Sequence, residues 1–208
     1  SLDLILEHGG IDLSDEKKPK ILGALKIPGF SQYLHPYDDN HILGIGQDTI
    51  EEQGRVMTGG LKIALFDVSD VHNPKERAKL LIGGRGTSTA VAYDHKAFLF
   101  DADKKLVIFP VQEVKDANWQ HVWQGVYVLH VKPDIGFAVR GKITHGTYDP
   151  TQYYDTYSTQ VQRSLYIGDI LYTISPKKIK MNDLDDLQIE HKTITLPYKD
   201  SAYPPIYY

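Results

Sequence analysis

The sequence predicts an all-β chain made of repeated antiparallel meanders, and three observations lead there. Apolar residues alternate or gather in short runs rich in β-branched and aromatic side chains, with almost no helical spacing. Asp-rich corners of similar chemistry recur at strand ends. Short polar turns recur between those corners, each joining a short strand to a more apolar one.

Taken in order, the expected strands are Ile21–Ile27, His41–Ile45, Leu61–Val68, Ala78–Ile82, Ala90–Tyr93, Ala97–Phe100, Leu106–Val111, Gly125–Val131, Ala138–Ile143, Gln162–Ile167, Leu171–Ile174, Ile179–Met181 and Ile189–Leu196. Only Glu113–Trp123 has room for a helical turn. The corners are Asp12-Leu13-Ser14-Asp15, Asp67-Val68-Ser69-Asp70, a worn copy at His130-Val131-Lys132-Pro133-Asp134, and Asp183-Leu184-Asp185-Asp186. Asp and Ser fit such corners because their short side chains accept hydrogen bonds from nearby backbone N–H groups, which requires no ligand. The hairpin turns begin at Tyr37-Asp38-Asp39-Asn40, Tyr93-Asp94-His95-Lys96 and Tyr166-Ile167-Gly168-Asp169.

Corner and hairpin alternate with a period of roughly 50 to 70 residues, the arithmetic of a β-propeller whose blades carry loop insertions. The expected units are the outer two strands of one blade up to about residue 28, then blades near 31–83, 88–145 and 161–196, within a partial propeller spanning 1–197 and followed by a tail, 198–208. About three and a half blades fall short of a ring. A truncated propeller is therefore the expectation, with open sheet edges that invite self-association.

Composition narrows the partners. The formal net charge is -4, with 23 basic and 27 acidic residues interspersed, so no basic stripe offers itself to nucleic acid. No apolar run approaches the roughly 18 residues of a membrane span, and the absence of cysteine excludes disulfides and thiolate metal sites.

The stretches Ile11–Asp15, Leu22–Asp38, Gly60–Asp70, Asp94–Phe100 and Arg163–Ser175 together resemble the secreted prokaryotic proteins with a C-terminal β-propeller domain distantly related to WD40 repeats. The resemblance covers most of Ile11–Pro197 and holds in order as well as content. It implies a propeller and an exported or cell-surface location, and it brings no catalytic residues with it.

Function on such a scaffold falls to the loops. Antiparallel strands a to d place the b–c and d–a connections at one end of the blades. The long segments Gln47–Gly60, Gln112–Gln124 and His145–Thr159 all fall at that end, whereas Asp38–Asn40, His95-Lys96 and Asp185-Asp186 at the other are short. The long-loop end is the expected recognition face. Trp119, Trp123, Tyr148, Tyr153, Tyr154 and Tyr157 are its candidate ligand-binding residues, flat and amphipathic enough for a protein, peptide or carbohydrate ligand, though loop tyrosines also simply pack onto their own sheet.

His35, Asp38, Asp94 and His95 are the candidate metal ligands, and a divalent metal is the one cofactor the residues leave open. None has the helical spacing of a zinc motif, and fixing turns is the simpler role for each. Asp101–Lys105 and Asn182–Asp186 lack the full calcium loop, the glycines at 44–46 and 83–86 lack the helix a phosphate loop needs, and no Gly-x-Ser-x-Gly elbow is present. The expected function is a non-enzymatic binding or scaffold module. The alternative is a propeller-hosted hydrolase or lyase with His35, Asp94 and His95 near the axis.

Overall fold

A computed structural model describes residues 7–12, 14–26, 28–52, 54–114, 121–146 and 157–198. Among these residues, fourteen strands form three four-stranded antiparallel meanders and one hairpin. The hairpin is β1 (Glu7–Asp12) with β2 (Lys20–Lys26). The first meander is β3 (Phe30–Asp38), β4 (His41–Glu52), β5 (Arg55–Asp67) and β6 (Lys75–Ile82). The second is β7 (Leu99–Asp101), β8 (Leu106–Val114), β9 (His121–Lys132) and β10 (Gly136–Ile143). The third is β11 (Arg163–Ile167), β12 (Ile170–Ile174), β13 (Lys178–Asp183) and β14 (Glu190–Thr195). In each meander, strands adjacent in sequence are adjacent in space.

The alternation of side chains along β8 and β9 explains how the meanders stack. Val107, Phe109 and Val111 of β8, with Tyr127, Leu129 and Val131 of β9, pack against Leu43, Ile45, Leu61, Ile63 and Leu65 of the first meander. Their neighbours Leu106, Ile108, Val126 and Val128 point the other way, onto Val161, Leu171, Leu184 and Leu187 of the third. A sheet buried on both faces needs apolar residues at every position, so Leu106–Val111 and Val126–Val131 read as nearly continuous apolar runs. The outer strands alternate instead; β6 is half-exposed at every second residue.

Polar bonds tie the layers where they meet. The Tyr37 hydroxyl donates to the Val131 carbonyl at 2.8 Å, joining the first meander to the second. The Arg140 guanidinium donates to the Leu184 carbonyl at 2.8 Å, joining the second to the third. Beyond the third meander no further sheet follows among the described residues, and Leu165 and Ile167 on its far side are 40% and 66% exposed.

The Asp corners are side-chain-to-backbone turns. Asp67 accepts from the Ser69 N–H at 3.0 Å and its hydroxyl at 2.6 Å, and Asp183 accepts from the N–H groups of Asp185 and Asp186 at 2.8 and 2.9 Å. Gly168 turns β11 into β12 at φ +59°, a conformation that favours glycine.

Several local expectations need correction. Gln47–Gly60 is not a loop: β4 and β5 stay paired out to Glu52 and Arg55, because the Thr- and Val-containing segments on either side suit a ladder. The two ends of Gln112–Gln124 are strand as well, paired from Gln112 with Gln124 to Val114 with His121, while 115–120 lie outside the described residues. The strand expected at Ala90–Tyr93 is a 3-10 turn at Ala90–Ala92, capped by the Thr89 side chain, and a second turn at His95–Ala97 shortens the next strand to Leu99–Asp101. In these eight-residue surroundings two Ser/Thr/Asp caps outweigh the apolar alternation. The strand expectations also pass over 30–38, where Gly29, Pro36 and several polar residues mask the alternation of Tyr33, His35 and Tyr37.

Phe109→Ala and Ile108→Ala empty opposite faces of the middle sheet, so each is expected to cost about 2 to 5 kcal/mol in urea unfolding. Leu34→Ala, at a side chain 47% exposed, is expected to cost under about 1 kcal/mol. An Ile108→Ala cost as small as that of Leu34→Ala would mean that the third sheet is not packed on the second.

Candidate functional site: the interrupted inner strand

The inner strand of the second meander is broken, and the break builds the site. β7 pairs with only the first residues of β8, Leu99 with Ile108 through Asp101 with Leu106. Farther along β8 its place is taken by the segment arriving from β6. Gly84 N–H donates to the Val114 carbonyl at 2.6 Å, Ser88 and Gln112 exchange backbone hydrogen bonds at 3.0 and 2.9 Å, and the Thr89 hydroxyl donates to the Pro110 carbonyl at 2.6 Å. Gly83, at φ +60°, makes the turn into this segment, and any side chain there would collide with Thr87. Between the two paired stretches, 90–97 loops out through its two 3-10 turns.

The opposite wall comes from the connection into the third meander. Gln124 fixes it from both sides of its carboxamide: Nε2 donates to the Thr159 carbonyl at 2.9 Å, and Oε1 accepts from the Val161 N–H at 3.2 Å. His145 anchors its start. That imidazole is 2% exposed, with Nδ1 2.8 Å from the Ser175 hydroxyl and Nε2 2.8 Å from the Thr173 hydroxyl. Burial, reinforced by the nearby ammonium groups of Lys180 and Lys178, pushes its pKa down to about 4, so it is neutral and uses one nitrogen as donor and the other as acceptor.

Between these walls lies a small open cleft. Pro110 and Val161 form part of its floor, and Ser88, Gln112 and Gln160 supply its polar lining. The Tyr93 side chain stands at the rim, 82% exposed. Within the described residues, the Ser88 hydroxyl, the carboxamides of Gln112 and Gln160 and the Tyr93 ring have no partner. Among the described residues, none with a charged side chain lines it.

The aromatic candidates are only partly placed. Trp119, Tyr148, Tyr153 and Tyr154 lie outside the described residues. Trp123 is half-buried with its ring edge-on to Tyr127 at 5.5 Å, and the Lys142 ammonium lies over both rings, 5.1 and 4.1 Å from their centroids. Lys142 also meets Glu113 at 3.1 Å, whose Oε2 accepts from the Tyr127 hydroxyl at 2.7 Å. Trp123 thus belongs to a cation–aromatic stack rather than to an open platform. Tyr157 begins the helical turn at 157–159 and is half-buried, its carbonyl accepting from the Gln160 N–H at 3.2 Å.

The residues considered for metal or catalysis occupy separate contacts. His35 packs its ring on Phe98 and Phe100, with centroids 5.0 and 4.9 Å away, and its Nδ1 is 2.9 Å from the Tyr33 hydroxyl; burial lowers its pKa. Asp38 accepts from the Asn40 N–H and meets His41 Nδ1, both at 2.8 Å. Asp94 caps the second 3-10 turn through the Lys96 N–H at 3.0 Å and pairs with Arg163 of β11. Desolvation acts to raise the Asp94 carboxyl, but these two donors outweigh it and hold it below its ordinary value. His95 is exposed on the same turn. Among the described residues, no three His, Asp or Glu side chains gather in a way that could hold a metal.

Ser88, Gln112 and Gln160 escape the sequence reading because Ser and Gln carry no motif. Position gives a weak signal for two of them only, since Gln112 and Gln160 lie at the edges of the segments 112–124 and 145–159.

Stacked four-stranded meanders, each buried against the next, define a β-propeller, here seen as three blades and a hairpin. The chain belongs to the family described as the beta propeller domain, whose model matches residues 10–187. It is 31% identical over 175 residues to an uncharacterised protein of Archaeoglobus fulgidus, covering 83% of this chain and 22% of that one. It is 33% identical over 183 residues to the uncharacterised protein MJ1554 of Methanocaldococcus jannaschii, covering 88% of this chain and 24% of that one. The chain thus spans about a quarter of the length of these relatives.

The buried neutral His145 makes folding sensitive to mild acid. Its folded pKa lies below the unfolded value near 6.5, so the unfolded chain takes up the proton first. Its contribution is complete above about pH 6.5 and declines as the pH falls to about 4, by roughly 3 kcal/mol in all. Urea midpoints of the wild type are expected to fall more across that window than those of His145→Gln. Parallel declines in the two proteins would show that His145 does not carry this dependence.

Proposed function

We propose that this chain is a non-enzymatic binding module of an exported or cell-surface protein, with its ligand face at the b–c and d–a end of the blades. One observation carries the reading: the uncommitted polar groups of the cleft lie at that end, between two d–a connections and beside the end of β8. The paired arm of β4 and β5 projects from the same end of the first blade. A rigid sheet scaffold that carries an open cleft with unpaired donors and acceptors suits recognition. The exported location rests on the family resemblance, and protease accessibility of the full-length relatives on intact cells tests it; complete protection would contradict it.

The face can be tested by blocking it. The sequence has no cysteine, so a single introduced thiol takes a bulky maleimide label at a chosen site. Labelling Arg55→Cys or Tyr93→Cys is expected to abolish the binding that the same unlabelled variant shows on glycan and peptide arrays. Labelling Asp39→Cys or Asp169→Cys, on the opposite turns, is expected to leave it intact. Binding to neither array, or binding blocked only from positions 39 and 169, would overturn the proposal.

A further inference from the structure

We infer that the outward face of the third meander is a homodimer interface, on which a second copy of this chain stacks the same face. Side chains alternate along β11, β12 and β13, and Tyr166 and Leu171 pack onto the second meander. Their neighbours point away from it. Leu165, Tyr172 and Met181 lie side by side across three strands, Ile174 lies beside Ile179, and Ile167 ends β11. Among the described residues no sheet covers this face, and Leu165 and Ile167 are exposed on it. Apolar residues on both faces belong to a sheet that is covered on both, as the second meander is, and a contiguous exposed apolar patch marks an interaction surface. Asp183 and Lys192 share the face by register and stand at its margin, so an apolar centre holding Tyr172 meets a charged rim, the anatomy of a protein interface.

The face is a better contact than the edge. β14 exposes Glu190, His191 and Lys192, and Lys180 pairs with Glu190 at 2.9 Å. Charges along an edge strand oppose the addition of another strand. Self-association through the face therefore takes the place of the edge pairing that the sequence suggests.

The far end of the stack offers less. On the outward face of the first meander Ala64 and Phe66 are already buried, and Lys62 donates to the Pro28 carbonyl at 3.1 Å. A head-to-tail contact would find much of that face taken. The same face on a second copy is apolar and open, which gives a two-fold, self-complementary contact with the sheets stacked about 10 Å apart. Four strands about 4.8 Å apart and roughly 17 Å long give a footprint on the order of 300 Å² on each copy. With side-chain relief the pair buries roughly 1,000 Å², the low end of specific interfaces, so the dimer is expected to dissociate in the micromolar range.

Sedimentation of the chain over a dilution series tests this. A reversible monomer–dimer equilibrium is expected, weakened at least tenfold by Ile167→Lys and by Tyr172→Lys and unchanged by Leu34→Lys on the first meander, with the dispersed NMR spectrum of the fold retained. Ile167 is exposed enough for its variant to fold even if the Tyr172 variant does not. Because the sequence has no cysteine, Tyr172→Cys can then be treated with a short bismaleimide. It is expected to cross-link to its own kind. A chain that stays monomeric throughout the micromolar range would overturn the proposal and leave the face to a further blade. Dimers that survive both lysine variants, or cross-links that form only between Tyr172→Cys and Leu34→Cys chains, would overturn it in favour of edge or head-to-tail contact.

Discussion

Burial of both faces of the second meander is the constraint on which the rest of the structure depends. β8 and β9 give alternate side chains to two different interfaces, so a one-residue slip in their register would exchange the Phe109 and Leu129 set for the Ile108 and Val128 set. Neither neighbouring sheet could then find its partner surface. Each buried Leu, Ile or Phe contributes about 1.5 to 3 kcal/mol, and most of the apolar burial of the second and third sheets depends on this register. The first and third meanders are stabilised through the second. Cross-sheet bonds from Tyr37 and Arg140 fix the lateral position of the layers rather than supplying the attraction between them.

The same central sheet positions the cleft. β8 runs longer than the strand that should cover its inner edge, and its surplus backbone groups must be satisfied. The chain answers by laying 84–89 along β8 and pushing 90–97 outward, which lifts Tyr93 to the rim and sends Asp94 across to Arg163 of the next blade. The far wall is held by buried side chains of the adjoining sheets, Gln124 from the second and the hydroxyls of Thr173 and Ser175 around His145 in the third. The cleft's polar side chains thus stand on strand and capped turn rather than on unsupported loop.

The architecture was legible because repetition compensates for weak local signals. Short apolar runs such as Leu106–Val111 marked the strands, and the Asp corners marked where the meanders turned; that the second sheet is buried on both faces emerged only from the structure. Local detail was less legible. Ala90–Tyr93 has the apolar character of a strand, but Thr89 and Asp94 compete for the backbone and win as caps. The long hairpin arm of β4 and β5 looked like a loop because its residues are polar, and a solvated ladder needs no apolar face. Of the site, loop length was a poor guide, since two of the three long segments are wholly or partly paired strand. The particular residues could not be read, because Gln112 and Gln160 come to line one cleft only through a chain reversal that no sequence pattern records. Trp123 shows the converse: an aromatic chosen for exposure is occupied by Lys142.

Hydrogen exchange of the native chain measures the central constraint most directly. If the second sheet is the core shared by both interfaces, the amides of β8 and β9 exchange only through global opening and outlast those of β12 and β13, whose sheet has one face without a covering sheet among the described residues. Protection in β12 and β13 equal to or greater than that in β8 and β9 would contradict it, placing the cooperative core elsewhere than between the stacked blades.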